Sequence, residues 1–358
     1  MTILLPHAYR QPYSEFSLLH SAYFYAVIIR TIRSNSPASL LLIPIIGLVL
    51  WMPGFLHPSP PAQMVPMPLF AGMDAFCRSH PEFAVILGFI FAIAQAFFLN
   101  YVIQVHQVLT KKSWLPALLF IVLTACTPGL LWFHPEMPAG LLLIWMLHLL
   151  LGTYRADRAY GSVFKAGFLL GLAGLIYAPS LTLFFFGIIA LIILRPFIWR
   201  EWMIFIIGLT IPWIYSGVWF FLKDELSTLT TTVLIEPVRN RNFFLKLPME
   251  YYALSVVTGL LLMVAAGRFV AGSGTSTLKT KKSVTMMIWF LIFAVLAVLP
   301  AQNYSVAGFI FCIYAMSIFI SNYFLLARRL WIAELIFIFL LVSIGASYYM
   351  KDIVALFA

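Results

Sequence analysis

Charge is scarce in this chain: 9% of its 358 residues are Asp, Glu, Lys or Arg, while 63% are hydrophobic. Soluble domains carry about 25% charged residues, so a water-soluble globule is excluded. Alternating apolar and polar runs are also lacking, which argues against a membrane β-barrel. Long continuous apolar stretches must satisfy their own backbone hydrogen bonds in hydrocarbon, and they read as helices. Cysteine is nearly absent. Cys77, Cys126 and Cys312 show no C-x-x-C or metal-like spacing, so no disulfide is expected. The chain has no P-loop, no G-x-S-x-G, no H-E-x-x-H and no dinucleotide-binding glycine pattern. Its seven histidines do not cluster along the sequence; His148 falls inside an apolar stretch and His106 at the end of one. That scatter disfavours a non-haem iron site, which needs several facing histidines. Mid-span carboxylates and lysines are missing too, which counts against ion-coupled transport. Glu334, beside Trp331, is placed near the membrane surface, where it can snorkel, and Gln95, Asn100 and hydroxyls are the polar groups left near the bilayer centre.

The few charges are distributed unevenly. Arg10, Arg30/Arg33, Lys111/Lys112, Arg155/Arg158/Lys165, Arg195/Arg200, Arg268/Lys279/Lys281/Lys282 and Arg328/Arg329 fall at alternate turns between apolar stretches. Assigned to one side, they give it 16 of the 22 basic residues and 4 of the 12 acidic ones. By the positive-inside rule that side is the cytoplasm. The expectation is an all-α, polytopic helical protein of the bacterial inner membrane with about 11 transmembrane helices, its amino terminus cytoplasmic and its carboxy terminus periplasmic. The spans are placed at about 39–55, 82–105, 114–133, 138–153, 166–178, 181–194, 202–221, 251–267, 284–299, 306–326 and 330–349. Residues 1–37 read as a cytoplasmic or interfacial amino-terminal extension and 38–358 as one multi-helix transmembrane domain. Spans five and six, separated by Pro179, are short enough to be either a re-entrant hairpin or two short helices. Trp51, Trp132 and Trp219 at outer ends, and Trp114, Trp199, Trp202 and Trp331 at inner ends, fit interfacial belts. Topology also accounts for the pI of 9.6, and no nucleic-acid partner is implied.

Candidate chemistry gathers in the outside loops. Asp74 lies in Gly72-Met73-Asp74-Ala75-Phe76, and Glu136 in Phe133-His134-Pro135-Glu136-Met137-Pro138. Arg239 and Arg241 stand in a third outside loop, 222–250. Carboxylates at the membrane surface suit deprotonation of an acceptor hydroxyl, and neighbouring arginines suit a phosphate clamp. The plainer reading is a set of solvated loop charges. No metal site and no cofactor are expected, although a divalent metal is compatible with the two carboxylates. The small-residue run Gly167-x-x-x-Gly171-x-x-Gly174, followed by Tyr177-Ala178-Pro179, reads as a close helix-packing face.

Two resemblances rest on these residues. Lys165 to Gly174, Tyr177-Ala178-Pro179-Ser180 and Leu194-Arg195-Pro196-Phe197-Ile198-Trp199-Arg200-Glu201-Trp202 resemble a family of uncharacterised bacterial inner-membrane proteins with a domain-of-unknown-function label. Ile29-Arg30 through Phe55 and Arg328 through Leu335 fit it too, so the likeness covers about 29–350. More distantly, span order and loop chemistry are similar to the GT-C glycosyltransferases, which use polyprenyl-phosphate sugars outside the cytoplasmic membrane. That likeness implies a GT-C-like architecture and a role in cell-envelope biogenesis. Asp74 becomes the acceptor base or a metal ligand, Glu136 a second carboxylate, and Arg239 and Arg241 the phosphate-binding pair. Its partners are membrane lipids, a polyprenyl-phosphate-linked sugar and other envelope membrane proteins. The chain departs from the pattern in lacking a paired carboxylate in the first outside loop and a large carboxy-terminal soluble domain. A non-catalytic membrane subunit or lipid-handling component of an envelope assembly complex therefore stays open beside the enzyme.

Overall fold

In a computed structural model of the chain, residues 38–61, 66–126, 128–156, 158–195, 198–235, 252–272, 278–298, 306–327 and 330–357 are described. Every regular element among them is helical. The principal helices are α1 (Ala38–Leu56), α2 (Ala71–Ser79), α3 (Pro81–Val105), α4 (Leu115–Thr124), α5 (Glu136–Gly152) and α6 (Tyr160–Ile176). They continue as α7 (Leu183–Leu194), α8 (Trp199–Leu222), α9 (Tyr252–Gly272), α10 (Leu278–Val298), α11 (Ile310–Leu326) and α12 (Leu330–Phe357). Ser39–Leu56, Pro81–Val105, Trp199–Leu222 and Leu278–Val298 are long and apolar enough to cross a membrane, which marks a membrane protein.

The core is built on the two helices least able to face water or lipid. All ten residues of α4 are buried, and α11 is buried along most of its length. The two pack together, with Phe120 stacked on Tyr314 at 5.2 Å between ring centroids. Around them lie α1, α3, α5, α9 and α10. A polar brace crosses this apolar interior: Gln95 Nε2 donates to the Met137 carbonyl at 2.6 Å, and the Tyr314 hydroxyl donates to Gln95 Oε1 at 2.8 Å. It ties α3, α5 and α11 together and gives buried polar groups partners that hydrocarbon does not offer.

A second unit is the pair α6–α8. Gly167, Gly171 and Gly208 let the two backbones touch. A side chain at Gly167 would meet the Phe205 carbonyl, one at Gly171 the Leu209 carbonyl, and one at Gly208 the Phe164 carbonyl. The small-residue run is thus a packing seam, as its spacing implies. The opposite face of α8 exposes Met203, Ile207, Ile214, Val218, Trp219 and Phe221. That apolar surface suits a lipid solvent.

Several expectations are corrected. Span 114–133 is not continuous: α4 stops at Thr124, and Pro128–Leu130 form a 3₁₀ turn, consistent with the breaker pair Pro128-Gly129. Loop 56–81 contains α2. Helix α6 starts at Tyr160 and α10 at Leu278, six residues before their expected starts, because polar first turns extend beyond the apolar runs. Trp51 and Trp132 are core residues, with relative exposures of 0% and 1%, and not interfacial anchors. Trp199, Trp219 and Trp331 are exposed as a belt requires. Glu334 is buried and does not snorkel.

Candidate functional site

Asp74 sits in the first turn of α2 and Arg78 in its last, each placed where the helix dipole favours its charge. They form an i,i+4 ion pair, Arg78 Nε to Asp74 Oδ2 at 2.8 Å, and Arg78 Nη1 donates to the Pro61 carbonyl at 3.1 Å. The candidate base is therefore charge-matched within its own helix. Cys77, between the two, is buried, and burial followed by the Asp74 charge pushes its thiol pKa up.

Glu136 opens α5 and is fully enclosed, with no hydrogen bond of ordinary geometry to either carboxylate oxygen. The Tyr177 hydroxyl, at the carboxy-terminal end of α6, interacts with it. The segment before it is wedged against α3, where a side chain at Gly88 would strike the Trp132 backbone at 2.9 Å, and Phe133 packs on Phe70 and Phe91. His134 is buried by that wedge. Its Nε2 lies 2.6 Å from the Gly129 carbonyl oxygen, which can only accept, so Nε2 carries the proton. Burial holds the His134 pKa down at about 4, with Arg78 acting in the same direction and Asp74 and the Gly129 bond opposing it. His134 is neutral at physiological pH and stands within electrostatic reach of the Asp74–Arg78 pair. Asp74, Arg78, His134, Glu136 and Tyr177 thus share one end of the molecule. Arg239 and Arg241 lie outside the described residues. Among the described residues no three of His, Cys, Asp and Glu gather closely enough to hold a metal ion.

The opposite ends of the same helices hold a second cluster. His106, at the carboxy-terminal cap of α3, places Nε2 3.0 Å from Nδ1 of His148 in α5. This pairing spans 42 positions, and the scattered histidine count concealed it. Burial, then the His148 and Lys279 charges, hold the His106 pKa down at about 4. Nearby, Arg195 Nε and Glu201 Oε2 form a buried ion pair at 2.8 Å. Arg195 Nη1 also donates to the Thr153 and Ala156 carbonyls at 3.1 and 2.8 Å, closing the end of α5. Glu201 was expected among loop charges; it is instead the interior partner of Arg195. His106, Leu151, Gly152, Tyr154, Arg155 and Lys279 line a cavity of about 710 Å³ at this end.

Neither the curated proteins nor the solved structures contain a match to the chain. The family likeness extends over residues 63–357, leaving α1 outside it and reaching the last turn of α12. Over that range the chain matches DUF6427, a family of unknown function, and it belongs to that family.

Proposed function

We propose that this protein is a non-catalytic membrane subunit or lipid-handling component of a cell-envelope assembly complex. On this reading it crosses the bacterial inner membrane about eleven times, with a cytoplasmic amino terminus and a periplasmic carboxy terminus. The observation that carries it is the state of the two carboxylates. Asp74 is matched by Arg78 at 2.8 Å, and Glu136 is fully buried with the Tyr177 hydroxyl beside it. A general base needs a lone pair within reach of a substrate proton. The enclosed Glu136 offers none to a molecule arriving from outside.

The test is complementation of a deletion strain. Asp74→Asn restores envelope glycans and barrier function to wild-type levels at equal protein abundance. Loss of glycan transfer in that variant, with protein level unchanged, overturns the subunit reading.

One observation favours the second reading, a GT-C-like transferase using a polyprenyl-phosphate-linked sugar. Asp74 and Glu136 lie at the same end of the molecule, with His134 two residues from Glu136 and within the field of Asp74. Here Asp74 is the acceptor base, Glu136 a second carboxylate, and Arg239 and Arg241 grip the donor phosphate. A divalent metal is compatible with this reading, and the Asp74→Asn experiment separates it from the first.

A further inference from the structure

We propose that the cavity between the ends of α3, α5 and α10 is a binding site for a phosphate group carried on an anionic lipid. It lies at the opposite end of α5 from Glu136, and neither reading of the carboxylates bears on it.

Its lining combines cationic and apolar side chains. Arg155 and Lys279 face the cavity of about 710 Å³ together with His106, Tyr154 and Gly152. Lys282 stands 5.3 Å from the centre of the Tyr154 ring and Arg155 stands 5.4 Å from it, so one aromatic holds two cations at the rim. None of Arg155, Lys279 and Lys282 has a carboxylate partner among the described residues. The lysines also begin a helix: α10 opens Leu278-Lys279-Thr280-Lys281-Lys282 with no acidic residue in its first turn. Cations are disfavoured at the positive end of a helix dipole, and a bound anion reverses that cost.

At the carbonyl ends of α3 and α5, several of the groups that would otherwise offset these charges are engaged by the chain itself. His106 N donates to Val102 O at 3.1 Å, Val108 N to Ile103 O at 3.0 Å, and Thr153 N to Leu150 O at 3.0 Å. His106 supplies the strongest pointer to a ligand. It is 7% exposed and lines the cavity, and its Nε2 is engaged by His148 while its Nδ1 has no hydrogen-bond partner among the described residues. With His148 Nδ1–H donating to His106 Nε2, His106 Nδ1–H is free to donate to an oxyanion. Two non-glycine residues with left-handed backbone flank the site, Gln107 at φ 54° and Arg155 at φ 57°. The Gln107 turn is pinned to α10 by a 3.4 Å hydrogen bond from Thr280 Oγ1. Such conformations persist where the surroundings enforce them, and functional sites are where they collect.

The apolar part of the lining argues for lipid as the source of the phosphate. Val105 and Leu278 line the cavity yet are 45% and 66% exposed, and Tyr101, one turn back on α3, is 53% exposed. Val105 and Leu278 thus set exposed apolar surface beside the basic lining, where an acyl chain would lie.

The experiment uses the full chain in detergent, titrated with phosphatidylglycerol, phosphatidylcholine or inorganic phosphate. Bound lipid is read by native mass spectrometry and protection by the unfolding temperature. Phosphatidylglycerol is retained and raises the unfolding temperature, while the zwitterionic lipid does neither. Lys279→Gln and Arg155→Asn each weaken retention on the order of tenfold, with Asn chosen because it tolerates the left-handed backbone at 155. Lys279→Arg restores retention. Lys112→Gln, which removes an exposed charge outside the cavity, leaves it unchanged. Protection by inorganic phosphate alone, lost in Lys279→Gln, keeps the oxyanion site and reassigns its source to free phosphate. Equal weakening by Lys112→Gln and Lys279→Gln, or no selectivity for the anionic lipid and no effect of phosphate, overturns the proposal.

Discussion

Alanine substitutions at two glycines of α6, Gly171 and Gly161, are expected to act in opposite directions. At Gly171 the new methyl group would strike the Leu209 carbonyl oxygen, with Leu209 C and Cα next at 3.1 and 3.2 Å. The obstacle is backbone, so no rotamer change relieves it and α6 must move away from α8 by roughly 1 Å. A gap of that size forfeits a quarter to a half of each dispersion well across the seam. Overpacking of this kind costs about 1–3 kcal/mol, beyond the gain of up to about 1 kcal/mol from alanine's helix propensity. A side chain at Gly161 meets nothing within 4 Å, so there the propensity term acts alone and stabilises. The Cys126 and Cys312 thiols are buried, so a thiol-reactive fluorophore reports unfolding of the purified protein on heating. Gly171→Ala should label at lower temperature than wild type and Gly161→Ala at the same temperature or higher. Equal curves for the two variants would refute the seam as a determinant of stability.

Two further outcomes follow from buried charge. Arg195→Met leaves Glu201 in the interior without its cation and removes donors from the Thr153 and Ala156 carbonyls. A loss of about 3–5 kcal/mol is expected in the same labelling assay, and the double variant with Glu201→Leu recovers most of it. For His134, the folded pKa of about 4 lies below the ordinary 6.5, so between these values the unfolded chain binds a proton that the folded chain refuses. Stability therefore falls as pH drops from about 6.5 towards 4 and levels off below, by about 3 kcal/mol at most from this residue. Asp74, Arg78 and the Gly129 carbonyl are the groups acting on it. His106 titrates over the same window, so His134→Asn flattens only part of the curve. An unchanged slope in that variant excludes His134 as a source.

Helix positions were readable wherever an apolar run is long and uninterrupted, as in α1, α3 and α8, because hydrocarbon leaves the backbone few other choices. The break after Thr124 was signalled by Pro128-Gly129, and α2 by the i,i+4 spacing of Asp74 and Arg78, but an apolar run on either side outweighed both signals. The candidate site was legible as residue types and not as environments. Asp74 was visible as an acid, yet its neutralisation depends on a side-chain geometry that charge counting ignores. Glu136 reads as a loop charge because nothing local marks its burial. The pairs His106–His148 and Arg195–Glu201 arise where separate helices end at the same level, and neither spacing advertises that meeting. Tyr177 was noticed beside Pro179, but only the docking of α6 on α5 makes it the neighbour of Glu136.

The central helix α4 carries a consequence for biogenesis. Its ten residues reach about 15 Å, half of a hydrocarbon core of about 30 Å, so it is a poor candidate for stable insertion by itself. Its principal partner α11 leaves the ribosome roughly 190 residues later, a delay on the order of 10–40 s at ordinary elongation rates. Throughout that wait the helices packed most closely on α4 are α3 and α1. Final burial of Phe120 against Tyr314 then closes the molecule after nearly all of it has been made, which exposes the half-built chain to membrane proteases and makes α4 dependent on α11.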